Sequence, residues 1–279
     1  MGMPAVRIRA LAVDVDGTLL DPAHRVRPAV RDAVVRLAVA GVPVILASAR
    51  FPGAMRAIQA ELGLLGEPMV GCQGAVVGRW VGDTFEVAHE WAIPAAATVS
   101  VLKVAGAAGL PVSRFGAHRW VVAAGDPMAA QEARIVGCEP AVVEDLAAVG
   151  EPAAKLTVMA SAGREAELGT IAAALPPSVV GTISRPDYLE IVAATVSKAT
   201  ALAALLGDLG LPVGELAAAG DGANDVAMLQ GASLRIAMGH APASLLEFAD
   251  WVVPSNGEDG LARAIDRLFD EGLVGGQPR

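Results

Sequence analysis

The chain has 279 residues, of which 54% are hydrophobic and 18% charged, so it is too apolar to be disordered and long enough to bury a large core. Its formal charge is −9, with 30 acidic against 21 basic residues, and only 4% of its residues are aromatic. This composition excludes the basic surface that phosphate backbones require and the aromatic surface on which bases stack, so we expect no nucleic-acid partner.

Cysteine content and hydropathy exclude further classes of protein. Cys72 and Cys138 are the only cysteines, too few for a disulfide scaffold or a thiolate zinc site. The best uncharged apolar stretches, 37–49 and 91–102, are shorter than the roughly 18 residues of a membrane-spanning helix. The first ten residues lack the pattern of a signal peptide. We therefore expect a cytoplasmic protein with no membrane partner.

Strand and helix patterns alternate over the first ninety residues. A continuous β-branched apolar run over 7–15 is typical of a strand buried on both faces. Helical spacing of apolar residues over 28–40 predicts a helix, and a second buried strand follows over 42–47. A second helix is predicted over 52–62, and a third strand begins at 68–71. Such short connections predict right-handed crossovers and a parallel sheet.

The alternation of strand and helix that predicts a parallel sheet stops after residue 74 and resumes near residue 188. Runs over 76–80 and 84–91 predict a β-hairpin. Helical and strand-like pieces then alternate with hairpin signals, which indicates a mixed sheet: 95–108, 112–124, 127–137, 155–160 and 165–175. Parallel-sheet spacing resumes in six segments: 197–206, 216–219, 225–230, 235–238, 242–248 and 251–253.

These segments predict an α/β core with a doubly wound parallel sheet, interrupted by an α+β domain. The predicted core comprises 1–90 and 188–279, and the predicted insertion comprises 91–187. The Gly-rich end at 271–279 is expected to fray.

Polar side chains follow the predicted core strands where those strands end. Asp14 and Asp16 come after the first strand and point to the same side of an extended chain. Ser48 follows the second strand, and Lys198 opens a helix just after a serine that is a candidate cap. The turn at 220–225 carries three more polar residues: Asp221, Asn224 and Asp225. Because ligands bind at the carboxyl ends of the strands in such sheets, we expect one shared site.

The residue types at this edge indicate phosphoryl transfer. Carboxylates that meet in a low-dielectric cleft repel one another unless a cation lies among them. Hard oxygen ligands without cysteine or a nearby histidine favour Mg²⁺. A carboxylate nucleophile, a second carboxylate as acid, a lysine and a metal are the groups that transfer through an aspartyl-phosphate requires.

The order of these motifs resembles the haloacid dehalogenase superfamily of phosphohydrolases. The resemblance rests on DVDGTLL at 14–20, a hydroxyl after the second strand, Lys198, and GDGANDVAML at 220–229. The large insertion between the second and third motifs is similar to that of the Cof-like, sugar-phosphatase-type branch, as are YLEI at 188–191 and NGEDGL at 256–261. The resemblance covers nearly the whole chain and implies a Rossmann-like core with an inserted, mobile cap.

The resemblance also implies a role for each matching residue. Asp14 would be the nucleophile, Asp16 the general acid and base, and Asp225 a supporting residue. Mg²⁺ would be held by three groups: the Asp14 carboxylate, the Asp16 backbone carbonyl and Asp221. Four residues would bind the phosphoryl oxygens: Ser48, Ala49, Lys198 and Asn224. The branch usually has Thr-Gly-Arg at 48–50, Asn-Gly-Ala at 73–75 and Gly at 199, and these departures remove no catalytic group.

The implied function is a Mg²⁺-dependent phosphatase that hydrolyses small phosphorylated metabolites, as a monomer or homodimer. Two alternatives stay open. A phosphotransferase or phosphomutase, such as a phosphomannomutase, uses the same carboxylate pair but needs a phosphorylated acceptor. A catalytically silent phosphometabolite-binding protein is expected to have lost at least one of the catalytic groups, which are intact here.

Each polar residue also has a structural interpretation. Asp14 and Asp16 could cap a turn, and one polar residue of 220–225 could cap a helix. Arg50 is left outside the predicted site as a structural ion-pair partner, and Cys72 is expected to be a small buried hydrophobe. Four basic residues of the insertion are candidates for contacting substrate: Arg114, His118, Arg119 and Arg185.

Overall fold

The computed structural model describes residues 7–274, so the last residues of the predicted Gly-rich end lie outside it. The strands are β1 (Ala10–Val13), β2 (Val44–Leu46), β3 (Met69–Gly71), β4 (Val76–Val81), β5 (Thr84–Glu90), β6 (Val112–Phe115), β7 (Trp120–Ala123), β8 (Ala141–Val143), β9 (Lys155–Met159), β10 (Val179–Arg185), β11 (Tyr188–Ala193), β12 (Leu216–Gly220), β13 (Leu234–Met238) and β14 (Trp251–Val253). The α-helices are α1 (Pro28–Val39), α2 (Pro52–Glu61), α3 (Ala95–Ala107), α4 (Ala129–Val136), α5 (Ala166–Ala173), α6 (Lys198–Asp208), α7 (Val226–Gln230), α8 (Ala243–Leu246) and α9 (Gly260–Asp270).

The core sheet has five parallel strands in the order β14, β13, β12, β1, β2. Side chains alternate between the two faces of β1. Leu11 and Val13 lie in one buried cluster with residues of α1 and α9, whereas Ala10 and Ala12 lie in another with residues of α6 and α7. Helices therefore cover both faces, which confirms the predicted doubly wound α/β fold. The small alanines leave room for α6, whose first residue is Lys198, to lie close to the sheet.

The predicted hairpin is present as β4 and β5. Contrary to the prediction, β3 is not a strand of the core sheet. β3 pairs antiparallel with β4, and the three strands form a separate sheet. A parallel bridge between Ala47 and Val70 links β3 to the end of β2. The Ser48 amide donates to the Val70 carbonyl at 2.9 Å, so β3 runs beside the turn that follows β2.

The insertion contains a six-stranded sheet in the order β10, β11, β9, β6, β7, β8. Its strands are antiparallel except for the β7–β8 pair, so this is the predicted mixed sheet. Val101 of α3 and Ile171 of α5 share a buried cluster with Leu156 on one face. The opposite face carries Phe115, whose ring centroid lies 6.2 Å from that of Phe51 in the core. We call this opposite face the inner face.

The pairing of β11 bears on where the insertion ends. The predicted boundary between 187 and 188 separates β10 from β11, yet β11 pairs with both β10 and β9. We therefore propose that the insertion ends after Ala193, since that division keeps the sheet whole. The segment 189–193 is apolar apart from Glu190 and suits a strand in either sheet, so the pattern of side chains could not decide which sheet it joins.

One helix, α9, was not among the predicted elements. Its Leu261, Ile265 and Leu268 are buried at helical spacing, and α9 packs against α1. That spacing is visible in the sequence and could have predicted the helix. Within residues 7–274, no helix is both long and apolar enough to cross a membrane.

Arg114 is a structural residue of the insertion rather than a group positioned for substrate. It is buried, and its guanidinium donates to the backbone carbonyls of Leu146 at 2.8 Å, Val149 at 3.0 Å and Glu151. Two other basic candidates form ion pairs with acidic residues of the predicted insertion: Arg119 and Arg185.

Replacing Arg114 with methionine should lower the free energy of unfolding by about 2–4 kcal/mol, because buried carbonyls lose a charged donor. Urea denaturation measures this change. Arg119→Met is the matched control, since the Arg119 side chain is 43% exposed and exposed ion pairs contribute less than about 1 kcal/mol. Equal destabilisation by the two substitutions would contradict the structural role of Arg114.

Candidate active site

The turn after β1 carries Asp14 and Asp16 on either side of Val15. Asp14 is buried, and its amide donates to the Ala219 carbonyl of β12 at 3.0 Å. Gly17 has a φ of 90°, a left-handed conformation that L side chains rarely adopt. A Cβ at this position would lie 2.2 Å from Oδ2 of Asp221, so glycine is required both for the turn and for the approach of that carboxylate.

Lys198 lies between two of the carboxylates. Its Nζ donates to Oδ1 of Asp14 at 2.5 Å and to Oδ1 of Asp225 at 2.7 Å, and all three side chains are buried. Ser197 caps α6, as predicted, by accepting from the Thr200 amide at 3.1 Å, which fixes the first residue of the helix. Burial alone would lower the pKa of Lys198, but the charges of Asp14 and Asp225 raise it above its usual value.

Asp225 is oriented by the backbone of its own turn. Its Oδ2 accepts from the amides of Asp221 at 3.0 Å and Gly222 at 2.9 Å. A Cβ on Gly220 would lie 2.6 Å from the Asp225 Cβ, so this close packing also requires glycine. Asp225 thus connects Lys198 to the turn that presents Asp221.

Asp14, Asp221 and Asp225 can each place one carboxylate oxygen within 4.8 Å of the others. Asp221 accepts from the Thr18 hydroxyl at 3.1 Å, and its Oδ2 lies 3.4 Å from Nε2 of His240, so a histidine does lie near the site, contrary to the expectation from the sequence. Burial and then the neighbouring carboxylates raise the pKa of Asp14 well above its usual value, and the same causes raise that of Asp221. A hard divalent cation would relieve this repulsion, so the donor set fits Mg²⁺.

The Asp16 carboxylate is not part of this cluster and makes its contacts with Arg50 and His24. Arg50 donates to it through Nε at 2.8 Å and Nη2 at 2.7 Å, and Nδ1 of His24 lies 3.3 Å from it. Burial alone would raise the pKa of Asp16, but Arg50 and then His24 lower it below its usual value. Arg50 is the ion-pair partner that the sequence predicted, but nothing in the sequence identified Asp16 as its partner.

The remaining predicted site residues occupy the turns around this centre. Ser48 is buried, and its Oγ accepts from the Arg50 amide at 3.0 Å. Asn224 donates through Nδ2 to Oε1 of Gln73 at 3.4 Å, and the Ala49 carbonyl accepts from Lys155 of the insertion. The sequence did not single out Lys155 as a site residue, although it is one of only three lysines in the chain.

Cys72 is a buried hydrophobe, as predicted. Its side chain is inaccessible, and burial raises the pKa of its thiol to about 12. A thiol with so high a pKa is protonated at neutral pH and cannot serve as a nucleophile.

Comparisons with known proteins cover nearly the whole chain. A family model described as haloacid dehalogenase-like hydrolase matches residues 11–265. The chain is 26% identical to a phosphoglycolate phosphatase of Methanoculleus marisnigri over 264 residues, 94% of this chain and 97% of that protein. A shorter match is 42% identical over 84 residues, 30% of this chain and 34% of the 5-amino-6-(5-phospho-D-ribitylamino)uracil phosphatase YcsE of Bacillus subtilis. A solved haloacid dehalogenase-like hydrolase from Bacteroides thetaiotaomicron has a TM-score of 0.85 and 25% identity, covering 94% of this chain and 100% of that chain.

Gly17→Ala should destabilise the protein more than an ordinary substitution of a left-handed glycine. The backbone conformation alone costs about 1–2 kcal/mol, and displacement of Asp221 adds to that cost. Gly41→Ala is the matched control, because Gly41 has a φ of 81° but a Cβ added there would meet nothing within 4 Å. Equal losses of unfolding free energy in urea would show that Asp221 does not restrict residue 17.

Proposed function

Since the chain belongs to the haloacid dehalogenase-like hydrolase family, we propose that it is a Mg²⁺-dependent phosphatase of small phosphorylated metabolites. The observation that carries this proposal is the buried pairing of Lys198 with Asp14 and Asp225 at 2.5 and 2.7 Å, beside Asp221. This set combines a restrained carboxylate, a fixed positive charge and oxygen ligands for a metal, which phosphoryl transfer requires.

Asp14 is the proposed nucleophile. Lys198 binds its Oδ1, which favours the ionised carboxylate and sets its orientation. Attack of the carboxylate on phosphorus forms an aspartyl-phosphate and releases the alcohol, and water then hydrolyses this intermediate. Lys198 also supplies positive charge for the phosphoryl oxygens as negative charge develops on them.

Asp16 is the proposed acid and base. It protonates the leaving alcohol in the first step and takes a proton from water in the second. Its bonds to Arg50 favour the ionised form, which suits the second step. Donating a proton in the first step requires the protonated form of Asp16, which its bonds to Arg50 disfavour.

Mg²⁺ would be held by the Asp14 carboxylate, the Asp16 backbone carbonyl and Asp221. When bound, it supplies positive charge to the phosphoryl group and lowers the repulsion among the carboxylates. Asp225 serves a supporting role, because hydrogen bonds from Lys198 and two backbone amides already occupy its oxygens.

Four residues around this centre are proposed to bind the phosphoryl oxygens: Ser48, Ala49, Lys198 and Asn224. They lie on the turns after β2 and β12 and at the start of α6. The insertion covers the leaving group and acts as a cap that excludes water and selects the substrate. Two relatives named above as phosphatases act on phosphorylated small molecules according to their names, which supports the same substrate class here.

Asp14→Asn should abolish phosphate release, with a residual kcat below about one thousandth of wild type, because an amide cannot form the aspartyl-phosphate. Phosphate release is measured over a panel of phosphorylated metabolites, each without any phosphorylated acceptor. Asp250→Asn, on the surface near β14, is the control and should retain activity. Turnover that requires an added phosphorylated acceptor would instead identify a phosphotransferase or mutase.

Adding Mg²⁺ to chelator-treated protein should raise its Tm, because a ligand at about 100 times its Kd stabilises the native state by about 2.7 kcal/mol. Asp221→Asn should reduce this shift to near zero.

Ca²⁺ should restore activity to chelator-treated protein poorly, because its longer bonds and larger ligand number change the geometry of the site. Full activity in excess chelator would exclude the metal role.

A further inference from the structure

A buried ion pair on the inner face of the insertion also bonds to the core. Lys155 of β9 and Glu190 of β11 lie 2.6 Å apart, and both are buried. The Lys155 ammonium donates to the Ala49 carbonyl at 2.7 Å, and Glu190 accepts from the Gln73 side-chain amide at 2.5 Å. Each member of the pair therefore makes its second bond to a turn of the core.

Gln73 is held in a strained part of the chain. Its φ is 61°, and it lies between Cys72 with a φ of 51° and Gly74 with a φ of 105°. Residues other than glycine keep this conformation only where their surroundings hold them in it. The Oε1 of Gln73 accepts from Nδ2 of Asn224 at 3.4 Å. The Gln73 side chain therefore joins Glu190 of the insertion to the turn after β12.

Stability of the insertion alone does not account for this pair. Apolar residues of similar volume can often replace a buried ion pair without loss of stability. A pair that only stabilised the insertion would find its remaining partners within the insertion, as Arg114 does. Lys155 and Glu190 instead bond to core turns that contain, or directly contact, proposed phosphate-binding residues.

We propose that Gln73 is a positioning residue, and that together with Lys155 and Glu190 it aligns the turns of Ala49 and Asn224 when the insertion is seated on the core. This inference rests on the proposed function, in which those turns bind the phosphoryl group. Movement of the insertion away from the core removes Lys155 from the Ala49 carbonyl and Glu190 from the NH2 group of Gln73. Enclosure of the substrate and alignment of the site are thereby coupled.

Gln73→Asn tests the coupling by removing one methylene group while retaining the amide. We expect kcat to fall about tenfold and KM to change less than about twofold, because misalignment slows the reaction more than it weakens ground-state binding. Gln59→Asn is the matched control, since Gln59 is a buried glutamine of α2 that donates to the Glu67 carbonyl at 3.2 Å within the core. Its kcat should stay within about twofold of wild type at a comparable loss of Tm.

A second experiment does not depend on activity. The double substitution Lys155→Met and Glu190→Met replaces the pair with apolar residues and removes both bonds to the core. Hydrogen–deuterium exchange of the amides at 47–50 and 221–225 should rise at least about fivefold, while exchange within β9 and β11 stays at the wild-type rate. Gln73→Asn should show the same increase at 221–225, and Gln59→Asn should not.

Unchanged exchange at both turns in the folded double variant overturns the coupling, as does a kcat for Gln73→Asn equal to that of Gln59→Asn. An increase in exchange that is confined to the two turns supports the coupling. A wild-type protein that releases no phosphate from any ester refutes the proposed function instead. In that case, the exchange experiment still determines whether the turns depend on Lys155, Glu190 and Gln73.

Discussion

The site depends on holding the carboxylates of Asp14, Asp221 and Asp225 close together inside the protein. Like charges at this separation in a low-dielectric interior repel strongly, and Lys198 offsets only part of the repulsion. Burial, and then the repulsion that remains, raise the pKa values of Asp14 and Asp221 above their usual values. A divalent cation would complete the charge balance, so the same electrostatic constraint that makes the site costly to fold would also favour binding of a metal and a phosphoryl dianion.

Small residues bring the charged groups within bonding distance. Gly17 and Gly220 leave the space that the carboxylates of Asp221 and Asp225 occupy. On β1, alanines face α6, which begins at Lys198 after a serine cap. The chemistry of the site therefore depends on positions that carry no functional group, because each of them sets how closely two segments of backbone approach.

The insertion completes the polar surroundings of the site. Asp16 and Arg50 form an ion pair within the core, whereas Lys155 and Glu190 extend a second polar network from the inner face to Ala49 and the turn after β3. Because buried polar groups need partners, the position of the insertion affects which groups of the core are satisfied. This links the cap, which carries the proposed specificity, to the turns that carry the proposed chemistry.

The sequence by itself determined the fold class and most of the candidate site. The period of apolar residues distinguished the core strands from the helices, and glycines and acidic residues in motif order marked the strand ends that meet at one edge of a parallel sheet. Only the tertiary structure decided that β11 pairs with β9, that Arg50 binds Asp16, and that Gln73 joins Glu190 to Asn224. These last contacts join segments separated by 34 to 151 positions in the chain. A local pattern records whether a side chain is buried or polar, but its partner depends on how the sheets pack.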